Sequence, residues 1–138
     1  MSSVGRVGAP IHLIYMLLDK NSSQKFFLPK NPEVVNPMPG TLVNSEAVGK
    51  GFEFYLIAQQ SRKGAVKPTF YRVIYSDSAL EEGLLEELIF AQCFNYMNWL
   101  GSIKVPAVMQ YAKKLGTLVG TQVQQKSVDD MKNQLYFI

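Results

Sequence analysis

Four cations fall within eleven residues: Arg62, Lys63, Lys67 and Arg72. Guanidinium and ammonium groups at that density suit sequence-independent contact with an RNA backbone, because neutralised phosphates release counterions and no base needs to be read. The plainer alternative is a solvated loop, since the connection from Gln59 to Pro68 also holds Gly64. Another cation, Lys104, stands two residues ahead of Pro106. Proline is favoured in the first turn of a helix. Lys104 therefore falls beside free helix amides, and a cation next to unsatisfied N–H groups makes an anion site. Along that helix Gln110, Lys113 and Thr117 fall at i, i+3 and i+7, on one polar face. Lys113 has two readings: a solvated helix cation, or a phosphate contact made as a point charge. One chemistry is closed to it. An ammonium carries donors and no lone pair, so it cannot ligate Mg²⁺ as an imidazole or a carboxylate can.

The remaining reactive types are few. His12 is the only histidine and lies in an apolar run, where a packed core residue without chemistry is expected. Cys93 is the only cysteine and also lies among apolar residues. It reads as a buried structural thiol. A lone cysteine excludes an internal disulfide framework and fits a reducing compartment. Gly-rich phosphate loops, CxxC pairs and nucleophile–base motifs are absent from the sequence.

With 138 residues the chain is long enough for one domain. Hydrophobic residues make up 47% and charged residues 18%, enough apolar material for a sizeable core. The net charge of +3 and pI near 9.0 are compatible with nucleic acid without demanding it. No apolar stretch reaches the roughly 18 residues of a membrane span, so no membrane partner is expected. Residues 1–10 lack the apolar core of a secretory signal. They are expected to be a disordered or non-family leader, and the chain to reside in the cytoplasm or nucleus.

Strands must carry these groups first, and helices last. Residues 11–18 form a continuous apolar run of the length of a strand buried on both faces. Residues 25–28 read as a short strand. Pro29, Pro32, Pro37, Pro39 and Gly40 then break regular structure into a long loop. Residues 41–43, 52–58 and 69–75 read as strands, the last two rich in aromatic and β-favouring residues. Ser78 and Glu81 have the spacing of a capping box. It opens a helix with Leu80, Leu84, Leu88 and Ala91 in one stripe, flanked by Leu85, Ile89 and Tyr96. That helix is expected to run to about Trp99 and stop before Gly101. A second helix carries Pro106 in its first turn and faces the core with Val108, Ala112, Leu115 and Val119. Residues 128–138 form a short terminal segment ending in apolar residues.

Several blocks resemble, in order, the C-terminal half of a PIWI domain, the RNase H-like domain of Piwi and Argonaute proteins. Residues 105–115, Val-Pro-Ala-Val-Met-Gln-Tyr-Ala-Lys-Lys-Leu, are similar to the family's V-P-A-x-x-Q-Y-A-H-K-L. Asn36 to Thr41 resembles N-P-x-P-G-T, and Pro68 to Tyr75 resembles P-T-H-Y-x-V-x-Y with Phe70 in place of the His. Phe54-Tyr55-Leu56 with Ser61 to Gly64 is similar to D-F-x-L…x-V-R-Q-G. Cys93 to Trp99 looks like C-H-x-Y-Y-N-W, again without the His. The resemblance covers nearly the whole chain beyond about residue 11, and its details favour the Piwi branch and insect Piwi proteins in particular.

The resemblance implies an α/β fold: a partial RNase H-like PIWI domain, with several β-strands followed by two long C-terminal helices. It implies a catalytic tetrad whose fourth position, a His in the family, is Lys113 here. The other three positions are carboxylates that fall outside this chain, so nuclease activity by the chain alone is not expected. RNA contacts are expected at Lys104, Gln110, Lys113, Arg62, Lys63 and Lys67. The carboxylate of Ile138 is expected at the guide 5′-phosphate, where Mg²⁺ is possible in a complete protein; the chain alone is expected to hold no cofactor. The implied partners are a small guide RNA (a piRNA), its target RNA, the rest of the PIWI domain with the MID domain, and Piwi-pathway proteins. The leading expectation is slicer-inactive RNA binding in piRNA-guided transposon silencing. The alternative is a truncated module that docks on Piwi partners without RNA.

Overall fold

Aromatic and β-branched residues at alternate positions drive the central strands together. The computed structural model describes residues 11–44, 51–126, 128–131 and 133–137. Its strands are β1 (Ile14–Asp19), β2 (Leu28–Lys30), β3 (Glu33–Val35), β4 (Thr41–Asn44), β5 (Glu53–Ile57) and β6 (Thr69–Ser76). They are followed by α1 (Glu82–Gln92) and α2 (Ala107–Leu118). The expected order of strands first and helices last is what the chain shows. A π-helical turn, Val119–Val123, and a 3-10 turn, Asp129–Met131, complete the elements.

The main sheet has the order β1-β6-β5-β4, and every neighbouring pair is antiparallel. Phe54 and Tyr71 lie opposite each other on β5 and β6, with rings stacked at 4.9 Å. Around them Leu56, Ala58, Leu85, Ile89 and Cys93 close the core. The Cys93 thiol is buried as expected, donates to the Ile89 carbonyl, and is pushed up to about 12 by desolvation.

Several local expectations are overturned. β1 starts at Ile14, and its residues alternate between half-buried and exposed, so only one face is covered. Tyr15 and Leu17 point to the open side, 55% and 51% exposed. His12 accordingly lies outside the core: its exposed imidazole is 3.2 Å from the Asp77 carbonyl, where the start of β1 meets the end of β6. The strand expected at 25–28 forms instead at Leu28–Lys30. It pairs with β3 across the Asn31–Pro32 cis peptide, inside the stretch expected to be loop. Pro29 is tolerated because a separate two-stranded ribbon has no central strand to interrupt.

The capping box is not made. Glu81, not Ser78, is the N-cap of α1, without a side-chain cap; the Ser78 hydroxyl accepts the Leu80 amide in a local turn instead. Leu85, Glu86 and Ile89 are the buried face, while Leu84 and Leu88 of the expected stripe are exposed. α1 also ends at Gln92, well before Trp99. Continuing it would need the Met97 amide to reach the Cys93 carbonyl. That carbonyl accepts the Ile103 amide at 2.9 Å, and the Met97 amide is taken by the Tyr111 hydroxyl at 2.9 Å.

In α2, Pro106 is the N-cap rather than a first-turn residue, and only Ala107 of the helix is buried. Val108 and Ala112 face outward, with Leu115 and Val119 half-buried. The helix is held at its start by buried Val105, Pro106 and Ala107, and along its length by Tyr111, whose ring meets Tyr96 at 5.2 Å. Among the described residues no helix is long and apolar enough to cross a membrane.

Candidate nucleic-acid interface

The connection between β5 and β6 is an ordered turn. Asn36 bridges it with both ends of one amide: its Nδ2 donates to the Gly64 carbonyl at 2.9 Å, and its Oδ1 accepts the Val66 amide at 3.1 Å. Gly64 takes φ +70°, a conformation suited to glycine, and the Ser61 hydroxyl donates to the Lys63 carbonyl at 2.8 Å. Thus the Asn-Pro pair read in the sequence as a loop breaker fixes the cationic turn from outside.

That turn meets the approach to α2. The buried Thr69 hydroxyl, at the start of β6, donates to the Lys104 carbonyl at 2.8 Å. Lys63, Lys67 and Lys104 consequently line one cleft of about 320 Å³ with Gln59, Gln60 and Ser61. Three of the expected RNA-binding cations are brought together there, one of them 37 positions from its neighbour in sequence (104 − 67).

On the other side of Lys104, Gln110 and Lys113 line a small cleft with Leu18, Lys20 and Met109. Lys20 follows β1, whose last residue Asp19 lies opposite Phe70 at the start of β6. The end of one strand, the start of the next and the first turns of α2 therefore share one edge. The Lys20 ammonium is pushed below its ordinary range, first by a side-chain hydrogen bond with Lys113, then by the charges of Lys113 and Lys104. Lys20 thus feels the charges of both Lys113 and Lys104, and α2 has no acidic residue in its first turn. Like charges gathered at one edge form a site whose stability improves when an anion arrives. Lys20 was not singled out from the sequence, where it reads only as part of a turn after a strand.

Two other expected contacts go elsewhere. Arg62 leaves the lysine cleft and lies over the Trp99 ring, 5.7 Å from its centroid. Arg72 is bound to Glu53 across the sheet and stacks on Phe70 at 5.5 Å. The four cations of residues 62–72 therefore do not form one patch. Gln110 and Lys113 also line a groove between α2 and the terminal segment, which Phe137 enters. Ile138, whose carboxylate was expected at a guide 5′-phosphate, lies outside the described residues, as do residues 1–10.

The described residues of this edge do not fit a divalent cation. Its clefts are lined by lysine ammoniums, which cannot supply lone pairs, and the nearby Asp19 carboxylate accepts the Asn21 amide. Among the described residues no group of three or more His, Cys, Asp and Glu is placed to hold a metal ion.

Known proteins share both this sequence pattern and this fold. The Piwi domain family model matches residues 5–124. Protein piwi of Drosophila melanogaster is 38% identical over 131 residues, which is 94% of this chain and 15% of that protein. Piwi-like protein 1 of Gallus gallus is 34% identical over 139 aligned positions, 100% of this chain and 16% of that protein. The crystal structure of Drosophila Piwi matches with a TM-score of 0.83 at 38% identity, over 94% of this chain and 18% of that one. The Kluyveromyces polysporus Argonaute crystallised with a guide RNA shares the fold, with a TM-score of 0.74 at 22% identity over 92% of this chain and 18% of that one. The chain thus spans about 15% of the length of the curated relatives it matches.

Proposed function

The chain belongs to the Piwi domain family, and from that premise we propose that it holds the backbone of a small guide RNA at the edge where Lys20, Lys104 and Lys113 meet the start of α2. The observation that carries this reading is the convergence of Lys20, Gln110 and Lys113 on one cleft and of Lys63, Lys67 and Lys104 on another, with the Lys104 segment tied to β6 by the Thr69 hydroxyl. Such a cluster is costly when empty and favourable when phosphates fill it. Gln110 adds an amide to the same cleft, and Lys63 with Lys67 extends the charge along the turn before β6. The contacts read phosphates, so base pairing between guide and target supplies the sequence information.

The biological setting in this reading is piRNA-guided transposon silencing, carried out with the rest of a PIWI domain and a MID domain, in cytoplasm or nucleus. Cutting of RNA is not part of it. The support is Lys113, which stands where the family pattern has a metal-binding His and cannot take that role. Any cation at the guide 5′ end would be held by groups other than the lysines described here.

The test is to purify the native protein under a high-salt wash and sequence the RNA that accompanies it. Discrete small RNAs bearing 5′-phosphates are the expected result. Protein free of RNA would overturn the reading in favour of a module that docks on Piwi partners. A Lys113→His variant should still cut no labelled target; slicing by that variant would overturn the account of inactivity.

A further inference from the structure

Trp99 is the chain's only tryptophan, and it stands beside the lysine cleft rather than in it. Its indole lines a space of about 600 Å³ with Arg62, Gln59, Gln60 and Ser61. A second opening on the same residue, of about 440 Å³, is lined by Arg62, Asn98 and Leu100. Gln59, Gln60 and Ser61 also line the cleft of Lys63, Lys67 and Lys104. The two spaces therefore share a wall, with cations on one side and an aromatic ring on the other.

The ring is presented, not packed away. Trp99 is 46% exposed although it is the largest side chain type, and Leu100 beside it is fully exposed. Gly101, at φ +110°, turns the chain next to the indole edge. The Arg62 guanidinium, 5.7 Å from the ring centroid, steadies the indole by a cation–π contact.

We propose that Trp99 and Arg62 form a stacking platform for an unpaired base of the RNA whose phosphates occupy the Lys63, Lys67 and Lys104 cleft. This rests on the reading that the chain binds RNA. Base and phosphate of one nucleotide are joined by a single sugar, so a ligand that fills the cationic cleft has an unpaired base within reach of the neighbouring wall. Every base has a π-face, and both indole and guanidinium planes stack on it without regard to sequence. The side chains around the indole suit a base edge better than a phosphate. Gln59, Gln60 and Asn98 offer donors and acceptors together, whereas a phosphate diester only accepts.

The single tryptophan reports directly on this site. Emission of the full chain is followed while 5′-phosphorylated single-stranded RNA is added, then a matched RNA with abasic positions and the same number of phosphates. Intact RNA should quench Trp99 and bind about tenfold more tightly than the abasic strand, in the range that one stacked base gives. Trp99→Leu should lose that preference with an unchanged salt dependence, and Trp99→Phe should keep most of it. Equal binding and equal quenching by intact and abasic RNA would overturn the platform and leave RNA binding standing. Binding that Lys104→Ala weakens but Trp99→Leu does not has the same consequence. Absence of any RNA binding would sink both readings, and a peptide that alone quenches Trp99 would reassign the platform to a protein partner.

Discussion

Thr69 and Lys104 are joined by a hydrogen bond of 2.8 Å from the threonine hydroxyl to the lysine carbonyl. This bond ties the first residue of β6 to the segment that leads into α2, and so sets where the lysine cleft lies. Thr69→Val keeps the shape and removes the donor. The expected cost is about 1–2 kcal/mol, since the carbonyl of Lys104 loses its partner in a part-buried place. A lowered urea midpoint with unchanged slope is the measurement that checks it, and an RNA affinity lowered alongside would tie the bond to the site.

Asn36 makes a comparable prediction for the turn. Its one amide serves Gly64 and Val66, so Asn36→Ala frees both backbone groups at once. The Val66 amide should then exchange with solvent at a rate approaching that of an unprotected loop, while amides of β5 and β6 keep their protection. Unchanged protection at Val66 would mean that the turn is held by other contacts.

Charge repulsion gives a salt-dependent result. The ammonium of Lys20 is depressed by Lys113 and Lys104, so the unfolded chain binds its proton more tightly than the folded one does. Stability attributable to Lys20 therefore rises as pH climbs from that depressed value toward the ordinary 10.5. Below that window the repulsion is fully present. Lys20→Gln should raise the melting temperature of the RNA-free protein at pH 7 in low salt, and the gain should vanish near 1 M salt, where the screening length is about 3 Å. In the same variant RNA should bind less tightly, with a shallower dependence on salt.

Burial of Cys93 predicts silence. Desolvation lifts its thiol to about 12 from an ordinary 9.0. A raised pKa stabilises the neutral folded form below pH 9.0, and that contribution is lost as pH rises from there toward 12. Iodoacetamide at pH 8 should therefore leave the native protein unmodified and label it only after denaturation. Labelling of the folded protein at the rate of a free thiol would contradict the buried placement.

The strands of the core could be read directly, because Phe54, Leu56, Tyr71 and their neighbours carry their own evidence of burial and period. Lys63, Lys67, Lys104, Gln110 and Lys113 could be named as cations and amides, and in part through family resemblance, but not placed. What joins them is Thr69 meeting Lys104 across 35 residues, and Asn36 reaching Gly64 across 28. Such distant pairings leave no local pattern. Lys20 escaped notice for that reason, since only the cleft it shares with Gln110 and Lys113 of α2 turns it from a turn residue into part of the site. His12 misled in the opposite sense. Apolar neighbours suggested burial, but the strand begins two residues later and leaves the imidazole in the open.

The end of α1 is not written in α1. The carbonyl of Cys93 and the amide of Met97 are each claimed by residues that come later, Ile103 and Tyr111. A chain emerging from the ribosome makes Met97 before either claimant exists. Until then neither group has the partner that holds it in the folded chain. The exposed loop that carries Trp99 thus takes its shape from α2 and the segment before it rather than from α1.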